Sequence, residues 1–150
     1  MNKKLKFEKL KPEHSIITPY LRQEDINEMK ALTGIKPELG VAYSIAFSQR
    51  GGAAIYDDKT AAIFGVSDDL IWLLGTDEIT KHPITFFRAS REYLPKLLSG
   101  YDYVYNYVDS RNKLHLDWLK WLGFTIEEAQ LLGVENRPFH KVWKEISNVY

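Results

Sequence analysis

The spacing of apolar residues predicts a chain in which short strands and helices follow one another. Residues 6–10 alternate polar and apolar positions, as a half-buried edge strand does. Residues 53–56 and 60–64 are apolar runs on either side of a polar turn, which predicts a β-hairpin. Residues 70–74 form a continuous apolar run of strand length, typical of a central strand covered on both faces.

Helical periodicity appears in the segments between these strands. Pro12 suits the first turn of a helix, and a second helix begins at Asp25 and stops at Gly34. Residues 38–47 fit either a helix or a strand. A longer helix starts at Pro83, and Pro95 predicts a kink or a new helical turn within it.

The last third of the chain repeats the alternation of strand and helix. Residues 103–108 read as a strand, residues 112–122 as a helix, and residues 124–132 and 139–146 as two final strands. The whole order predicts a mixed α/β (α+β) fold with a mostly antiparallel sheet flanked by helices. With 150 residues and 45% hydrophobic content, one core is expected, so residues 1–150 are predicted to form a single domain.

The predicted helix 112–122 has one charged edge and one apolar side. Lys113, Asp117 and Lys120 fall on the same narrow edge of a helical wheel, where opposite charges meet. Trp118 and Trp121 fall on the apolar side, so both rings are predicted to be buried in the core.

Composition excludes several classes of function. Twenty basic residues balance twenty acidic ones and no dense basic run occurs, so nucleic acid is not an expected partner. The absence of cysteine excludes disulfides, thiolate nucleophiles and cysteine-based metal sites, and the histidines lack metal-binding spacing. No apolar run is long enough for a membrane span. A soluble protein inside a cell or a particle is therefore expected, without a metal cofactor.

Residues 106–124 carry a resemblance to GNAT-type acyltransferases: a strand, then Asn112, a helix and the Gly123-Phe124 exit. Five segments together resemble GNAT-like tailed-phage proteins, including the internal virion protein A group of T7-like phages. They read A-A-I-F-G-V-S (61–67), W-L-L-G-T-D (72–77), F-x-R-x-S-R-x-Y-L (86–94), N-Y-V-D-S-R-N-K-L-H (106–115) and W-L-K-W-L-G-F-T (118–125).

This resemblance implies a GNAT-like fold, acetyl-CoA as the cofactor, and a phage virion or host protein as the partner. The expected location is the virion or the host cytoplasm. In the GNAT family the Asn position holds the pantetheine arm or the helix start, and Asn112 suits either role. The Tyr that often protonates the departing thiolate is replaced by Leu119, which cannot transfer a proton.

The resemblance also implies a cofactor path along the strand at 70–74. The amides of Leu73 or Leu74 are the candidates to face a thioester. The diphosphate loop that should follow has one glycine and two carboxylates, Asp77 and Glu78. Lys81 and His82 could compensate for those charges, or they could be ordinary exposed loop residues.

His115 is the candidate catalytic residue. It lies on the apolar side of its helix near the expected cleft, and an imidazole with an ordinary pKa near 6.5 could take a proton from an attacking amine. The alternative is a core histidine that hydrogen-bonds to Asp109 or to a backbone carbonyl.

Two hypotheses about function follow. In the first, the chain is a phage-encoded GNAT-like protein, virion-associated or host-directed, with a degenerate diphosphate loop and little or no acetyltransferase activity. In the second, it is an active acyl-CoA-dependent N-acetyltransferase acting on an amine, with His115 or a water-linked carboxylate as base.

Overall fold

The computed structural model describes residues 5–146, and positions 1–4 and 147–150 of the predicted single domain lie outside this range. The strands are β1 (Leu5–Lys9), β2 (Arg50–Tyr56), β3 (Lys59–Ser67), β4 (Leu70–Gly75), β5 (Tyr103–Asp109), β6 (Thr125–Ile126), β7 (Gln130–Leu132) and β8 (Arg137–Glu145). The α-helices are α1 (Gln23–Thr33), α2 (Pro37–Phe47), α3 (Asp77–Lys81), α4 (Pro83–Leu97) and α5 (Lys113–Trp121), and a 3-10 helix, Pro12–Tyr20, precedes them.

All of these strands belong to one sheet. Its order is β1-β2-β3-β4-β5-β8-β6, and β7 pairs with β8 alongside β6. Every pairing is antiparallel except that of β4 with β5, which is parallel. The predicted mixed fold with a mostly antiparallel sheet is therefore confirmed.

Helices cover both faces of this sheet. On one face, Ile17 of the 3-10 helix and Val41 of α2 belong to the same buried cluster as Trp72 of β4. On the other face, Phe86 of α4 and Trp118 of α5 pack with residues of β2 and β3. The expectation that β4 is covered on both faces is met, because its side chains alternate between these two layers.

The ends of the first helices follow their sequence signals. Gly34 takes a left-handed conformation with φ of 74°, and its N–H donates to the carbonyl of Lys30 at 2.9 Å, which ends α1. Residues 38–47, for which helix and strand were both open, are helical and start at Pro37. α4 continues through Pro95 to Leu97, since a proline so close to the helix end removes one of the last hydrogen bonds only.

Three features differ from the sequence predictions. The short helix α3 was not expected, because five residues are too few to show a helical period. The strand predicted at 124–132 is two short strands, β6 and β7. Trp121 was predicted to be buried and is 65% exposed, whereas Trp118 is 5% exposed. A helical wheel gives only the direction in which a side chain points, not how much of the protein lies beside it. Trp121 is the last residue of α5, at the surface end of the helix.

Candidate functional site

A cleft opens between the parallel strands β4 and β5. The strands share one register pair, Leu70 with Tyr105, and the N–H of Tyr105 donates to the carbonyl of Asp69 at 2.9 Å. One step further, the side-chain Nδ2 of Asn106 donates to the carbonyl of Ile71 at 2.6 Å. A side chain thus replaces the next backbone hydrogen bond, and the strands do not pair beyond that point.

Leu73 and Leu74 present their backbone to opposite sides of β4. The N–H of Thr76 donates to the carbonyl of Ala61 in β3. On the other side, the N–H of Gly75 donates to Asp25 of α1, and its carbonyl accepts the N–H of Arg22, the residue before α1. Because backbone groups alternate along a strand, the N–H of Leu73 points into the cleft and that of Leu74 points to β3. Of these two candidates, only Leu73 offers its amide to the cleft.

Next to the cleft lies an apolar cavity of about 90 Å³. α4 and α5 form its roof, and β3, β4 and β5 form its floor. Its wall includes Leu73 and Asn106 from the strands and His115 and Trp118 from α5. Lys81, His82 and Asn112 are not part of this wall.

His115 is buried, with 8% of its surface exposed. Burial lowers the pKa of its imidazole to about 4, and the nearby guanidinium of Arg22 adds to that effect. Its Nδ1 has no hydrogen-bond partner among residues 5–146, so neither of the bonds that a core histidine was expected to make, to Asp109 or to a carbonyl, reaches that atom. At neutral pH the ring is uncharged and a weak proton acceptor.

The wide end of the cleft, where β4 and β5 terminate, is closed by side chains at the starts of α1 and α5. We call this set, Arg22, Asp25 and Asn112, the mouth network. Asn112 is fully buried; its Nδ2 donates to Asp25 Oδ1 at 3.1 Å, and its Oδ1 lies 3.4 Å from both terminal nitrogens of Arg22. Asp25 Oδ2 accepts the N–H of Gly75 at 3.0 Å, and the N–H of Arg22 donates to the carbonyl of Gly75 at 2.8 Å. The network therefore joins the end of β4 to the start of α5.

Two more carboxylates extend this network towards the end of β5. Glu28 Oε1 accepts the N–H of Asp109 at 2.8 Å. The carboxylate of Asp109 accepts hydrogen bonds from Arg111, the shortest at 2.6 Å from Nη2, and lies 3.8 Å from Nε of Arg137.

Their environments move the carboxyl pKa values in opposite directions. Burial raises the pKa of Glu28 to about 8, although its side chain keeps some exposed surface, and burial also raises the pKa of Asp25 against the opposing charge of Arg22. Burial acts in the same sense on Asp109, but the hydrogen bonds from Arg111 outweigh it and lower the pKa of that group. With a pKa of about 8, Glu28 holds its proton at neutral pH.

Lys81 and His82 lie away from the mouth network. Lys81, at the end of α3, forms an exposed ion pair with Glu78 at 3.6 Å and lines a separate open groove beside the 3-10 helix. His82 stacks on Tyr56 with ring centroids 4.7 Å apart.

The start of α3, where the resemblance implies a diphosphate, carries negative charge. Thr76 Oγ1 accepts the N–H of Glu78 at 3.3 Å, and Asp77 and Glu78 occupy the first turn. These residues do not fit a diphosphate, because its charge would meet two carboxylates at a helix end that is already capped.

Within residues 5–146, no cluster of histidine and carboxylate side chains is arranged to hold a metal ion. No helix in the same range combines the length and apolarity that a membrane crossing requires.

Residues 54–129 match the protein family described as "Bacteriophage T7, probable scaffold protein Gp13". The chain belongs to this family. The matched range runs from β2 into the segment before β7, so it includes β4 and β5, most of the cavity wall and Asn112 of the mouth network. α1, which supplies Asp25, lies outside the matched range of the Gp13 family.

Solved structures similar to this Gp13-family chain are acetyltransferases. An acetyltransferase of the GNAT family from Streptococcus pneumoniae has a TM-score of 0.61 at 13% identity, covering 96% of this chain and 100% of that one. An aminoglycoside N(6')acetyltransferase from Legionella pneumophila has a TM-score of 0.67 at 13% identity, covering 97% and 94%. yncA from Salmonella typhimurium, solved with its cofactor acetyl-CoA, has a TM-score of 0.64 at 12% identity, covering 97% and 95%.

These similarities establish that the Gp13-family chain has a GNAT-like fold, and at such low identity they carry the fold alone. Curated proteins gave no match to the sequence.

The structure brings part of the predicted site together. Leu73 and His115 share the cavity wall, and Asn112 begins the helix that roofs it. Sequence reasoning missed Arg22, Asp25 and Glu28. Asp25 and Glu28 are three residues apart on one side of α1, but a polar pair at that spacing is usually a solvated helix edge, and their partners lie more than eighty residues away.

Proposed function

We propose that this protein is a phage-encoded GNAT-fold binding protein, virion-associated or host-directed, with little or no acetyltransferase activity. The observation that carries this proposal is the mouth network, which fills the end of the cleft through which a long cofactor would have to pass. We propose that the protein's role is similar to that of the internal virion protein A group of T7-like phages.

Asn112 supports the proposal because its hydrogen-bonding groups are already used. Its amide donates to Asp25, and its carbonyl oxygen accepts from Arg22. A pantetheine arm could bind this side chain only by breaking those bonds and leaving a buried carboxylate and a buried guanidinium without partners, which is costly.

The groups that would hold and activate an acyl donor are weak or otherwise engaged. The start of α3 offers Asp77 and Glu78 to an anionic diphosphate, and Lys81 is paired with Glu78. The imidazole of His115, with a pKa of about 4, is a poor base near neutral pH. Leu119 has no proton to transfer.

One observation favours the second candidate, an active acyl-CoA-dependent N-acetyltransferase. The N–H of Leu73 faces the cleft beside an apolar cavity, as an amide that polarises a thioester would. The mouth network weighs against this candidate, since an amide alone provides neither a diphosphate site nor a proton acceptor.

Calorimetric titration with acetyl-CoA separates the two candidates. The expected result is no saturable heat up to about 1 mM ligand, the range of weak binding. yncA of Salmonella typhimurium, whose structure contains acetyl-CoA, is the positive control. Micromolar binding to the wild-type chain that disappears in Asn112→Ala, with the fold intact by circular dichroism, would overturn the proposal.

Association with the particle is tested by quantitative mass spectrometry. The family description refers to a scaffold protein of bacteriophage T7. We expect the chain in purified virions or assembly intermediates at a fixed ratio to the structural proteins. Its recovery only with a host protein complex would support the host-directed form instead.

A further inference from the structure

The wall of the apolar cavity beside the cleft includes an imidazole whose Nδ1 has no hydrogen-bond partner among residues 5–146. The cavity measures about 90 Å³, and its wall includes the rings of Phe64 and Trp118 and the side chains of Leu73 and Leu94. His115 contributes to the same wall from α5. The space is therefore a largely apolar pocket that includes an imidazole in its wall.

Two other polar side chains in the wall, Ser90 and Asn106, are already hydrogen-bonded within the chain. The hydroxyl of Ser90 donates to the carbonyl of Phe86 at 2.7 Å. Asn106 donates to the carbonyl of Ile71 at 2.6 Å and accepts the N–H of Tyr107 at 2.7 Å. His115 differs, because in the described part of the chain its Nδ1 is buried and has no hydrogen-bond partner.

A buried polar group without a partner is unusual in a native protein, and a ligand is one way to supply the partner. The imidazole is neutral, so one ring nitrogen is a donor and the other an acceptor. A hydroxyl group both donates and accepts, and it therefore suits whichever nitrogen it meets.

The size of the cavity limits the rest of the ligand. A dry cavity of about 150 Å³ in another protein accommodates benzene, so a space of about 90 Å³ takes a molecule smaller than benzene. The apolar wall favours a hydrocarbon skeleton without charge.

We propose that this cavity binds a small uncharged alcohol, with its hydrocarbon part against Trp118 and Leu94 and its hydroxyl hydrogen-bonded to His115. This site goes beyond the proposed binding function and does not depend on it, because the ligand is far smaller than an acyl-CoA and a virion partner would bind the outer surface.

2-Propanol and 2-chloropropane make a matched pair of probes of suitable size. They have the same number of non-hydrogen atoms, but chlorine cannot donate a hydrogen bond. Binding is followed by nuclear magnetic resonance through the indole N–H signal of Trp118, in the wild type and in His115→Leu. We expect saturable shifts with both probes in the wild type. In His115→Leu we expect the affinity for 2-propanol to fall roughly threefold to tenfold relative to that for 2-chloropropane, the effect of one net hydrogen bond.

Two further variants separate the cavity from the rest of the surface. Leu94→Phe should fill the cavity and abolish binding of both probes, whereas Leu131→Phe, at an exposed position, should leave both affinities unchanged. The proposal is overturned if neither probe gives a saturable shift in the wild type, or if Leu94→Phe binds as well as the wild type. An equal loss of affinity for both probes in His115→Leu would overturn the assigned hydrogen bond. Should His115→Leu fail to fold, His115→Phe, which keeps a ring of similar shape, serves for the same comparison.

Discussion

The side chain of Asn112 ties α5 to α1 through a hydrogen bond from its Nδ2 to Oδ1 of Asp25, 3.1 Å long and spanning 87 positions of sequence. This bond lies at the end of the β4–β5 cleft, where Asp25 also accepts the N–H of Gly75. One carboxylate thus fixes the positions of a strand end and a helix start.

The first prediction concerns that bond. Asn112→Ala should lower the free energy of unfolding by roughly 2–4 kcal/mol, because it leaves Asp25 and Arg22 buried with fewer partners. Asn27→Ala is the control, since Asn27 only accepts an exposed hydrogen bond from Gln23. Chemical denaturation of both variants measures the difference, and equal losses would show that the mouth network adds no stability.

The second prediction concerns pH. The pKa of Glu28 is raised from 4.5 to about 8 in the folded chain, so the folded state holds a proton that the unfolded state has released between these values. Stability from this group is fully present below about 4.5 and is lost as pH rises towards about 8. Asp25, whose pKa is also raised, acts in the same direction.

Glu28→Gln tests this assignment, because an amide keeps an oxygen for the N–H of Asp109 and cannot titrate. Unfolding free energies measured across the same pH window should decline less steeply in Glu28→Gln than in the wild type. Parallel curves for the two proteins would assign the pH dependence to another group.

The third prediction compares the two tryptophans of α5. Trp118→Ala should cost roughly 3–5 kcal/mol of unfolding free energy, since the ring is buried against the sheet. Trp121→Ala should cost roughly 1 kcal/mol or less, the value of an exposed edge-to-face contact with Phe87. Chemical denaturation monitored by far-ultraviolet circular dichroism measures both losses. This signal does not depend on tryptophan fluorescence, which each substitution alters. A larger loss in Trp121→Ala would contradict the structure.

The fourth prediction concerns the turn before β8. Gly133 has φ of +81°, and a Cβ there would lie 2.4 Å from the carbonyl oxygen of Ala31 at the end of α1. Gly100 has a similar φ of +89°, but a Cβ there would meet nothing closer than 3.7 Å. Gly100→Ala should therefore cost about 1 kcal/mol from backbone strain alone, and Gly133→Ala clearly more.

Hydrogen exchange locates the effect of Gly133→Ala. The N–H groups of Val134 and Glu135 donate to Leu32 and Ala31 of α1 at 3.2 and 3.1 Å, and both should lose protection in this variant but not in Gly100→Ala. Unchanged protection would mean that the turn accommodates the added methyl group and keeps its hydrogen bonds to α1.

Local signals in the sequence were sufficient for much of the fold. The hairpin of β2 and β3, the apolar run of β4 and the stop at Gly34 are each decided by residues close in sequence, and all were predicted. Trp121 was placed wrongly because its exposure depends on where α5 ends relative to α4, which no helical period encodes. The same limit explains the strand expected at 124–132, whose division into β6 and β7 depends on pairing with β8.

The candidate site was only partly predictable for a related reason. Asn112 and His115 were predicted as site residues because they lie in the segment that resembles GNAT-type acyltransferases. Asp25 was predicted only as the start of a helix. Its partners are the side-chain amide of Asn112 and the backbone N–H of Gly75, which lie 87 and 50 positions away. A contact between such distant parts of a chain leaves no local pattern.

The single register pair of Leu70 with Tyr105 has a consequence for how the molecule comes apart. Strands β1 to β4 and strands β5 to β8 are each joined by ladders of antiparallel backbone bonds, whereas the boundary between the two groups depends on side chains. That boundary is the part of the sheet with the fewest backbone hydrogen bonds between neighbouring strands. A force or a partner that separates the two groups leaves the antiparallel ladders intact. It has to break the short β4–β5 ladder, a few polar contacts, and the apolar packing of Phe64 and Val66 against Val104 and Val142.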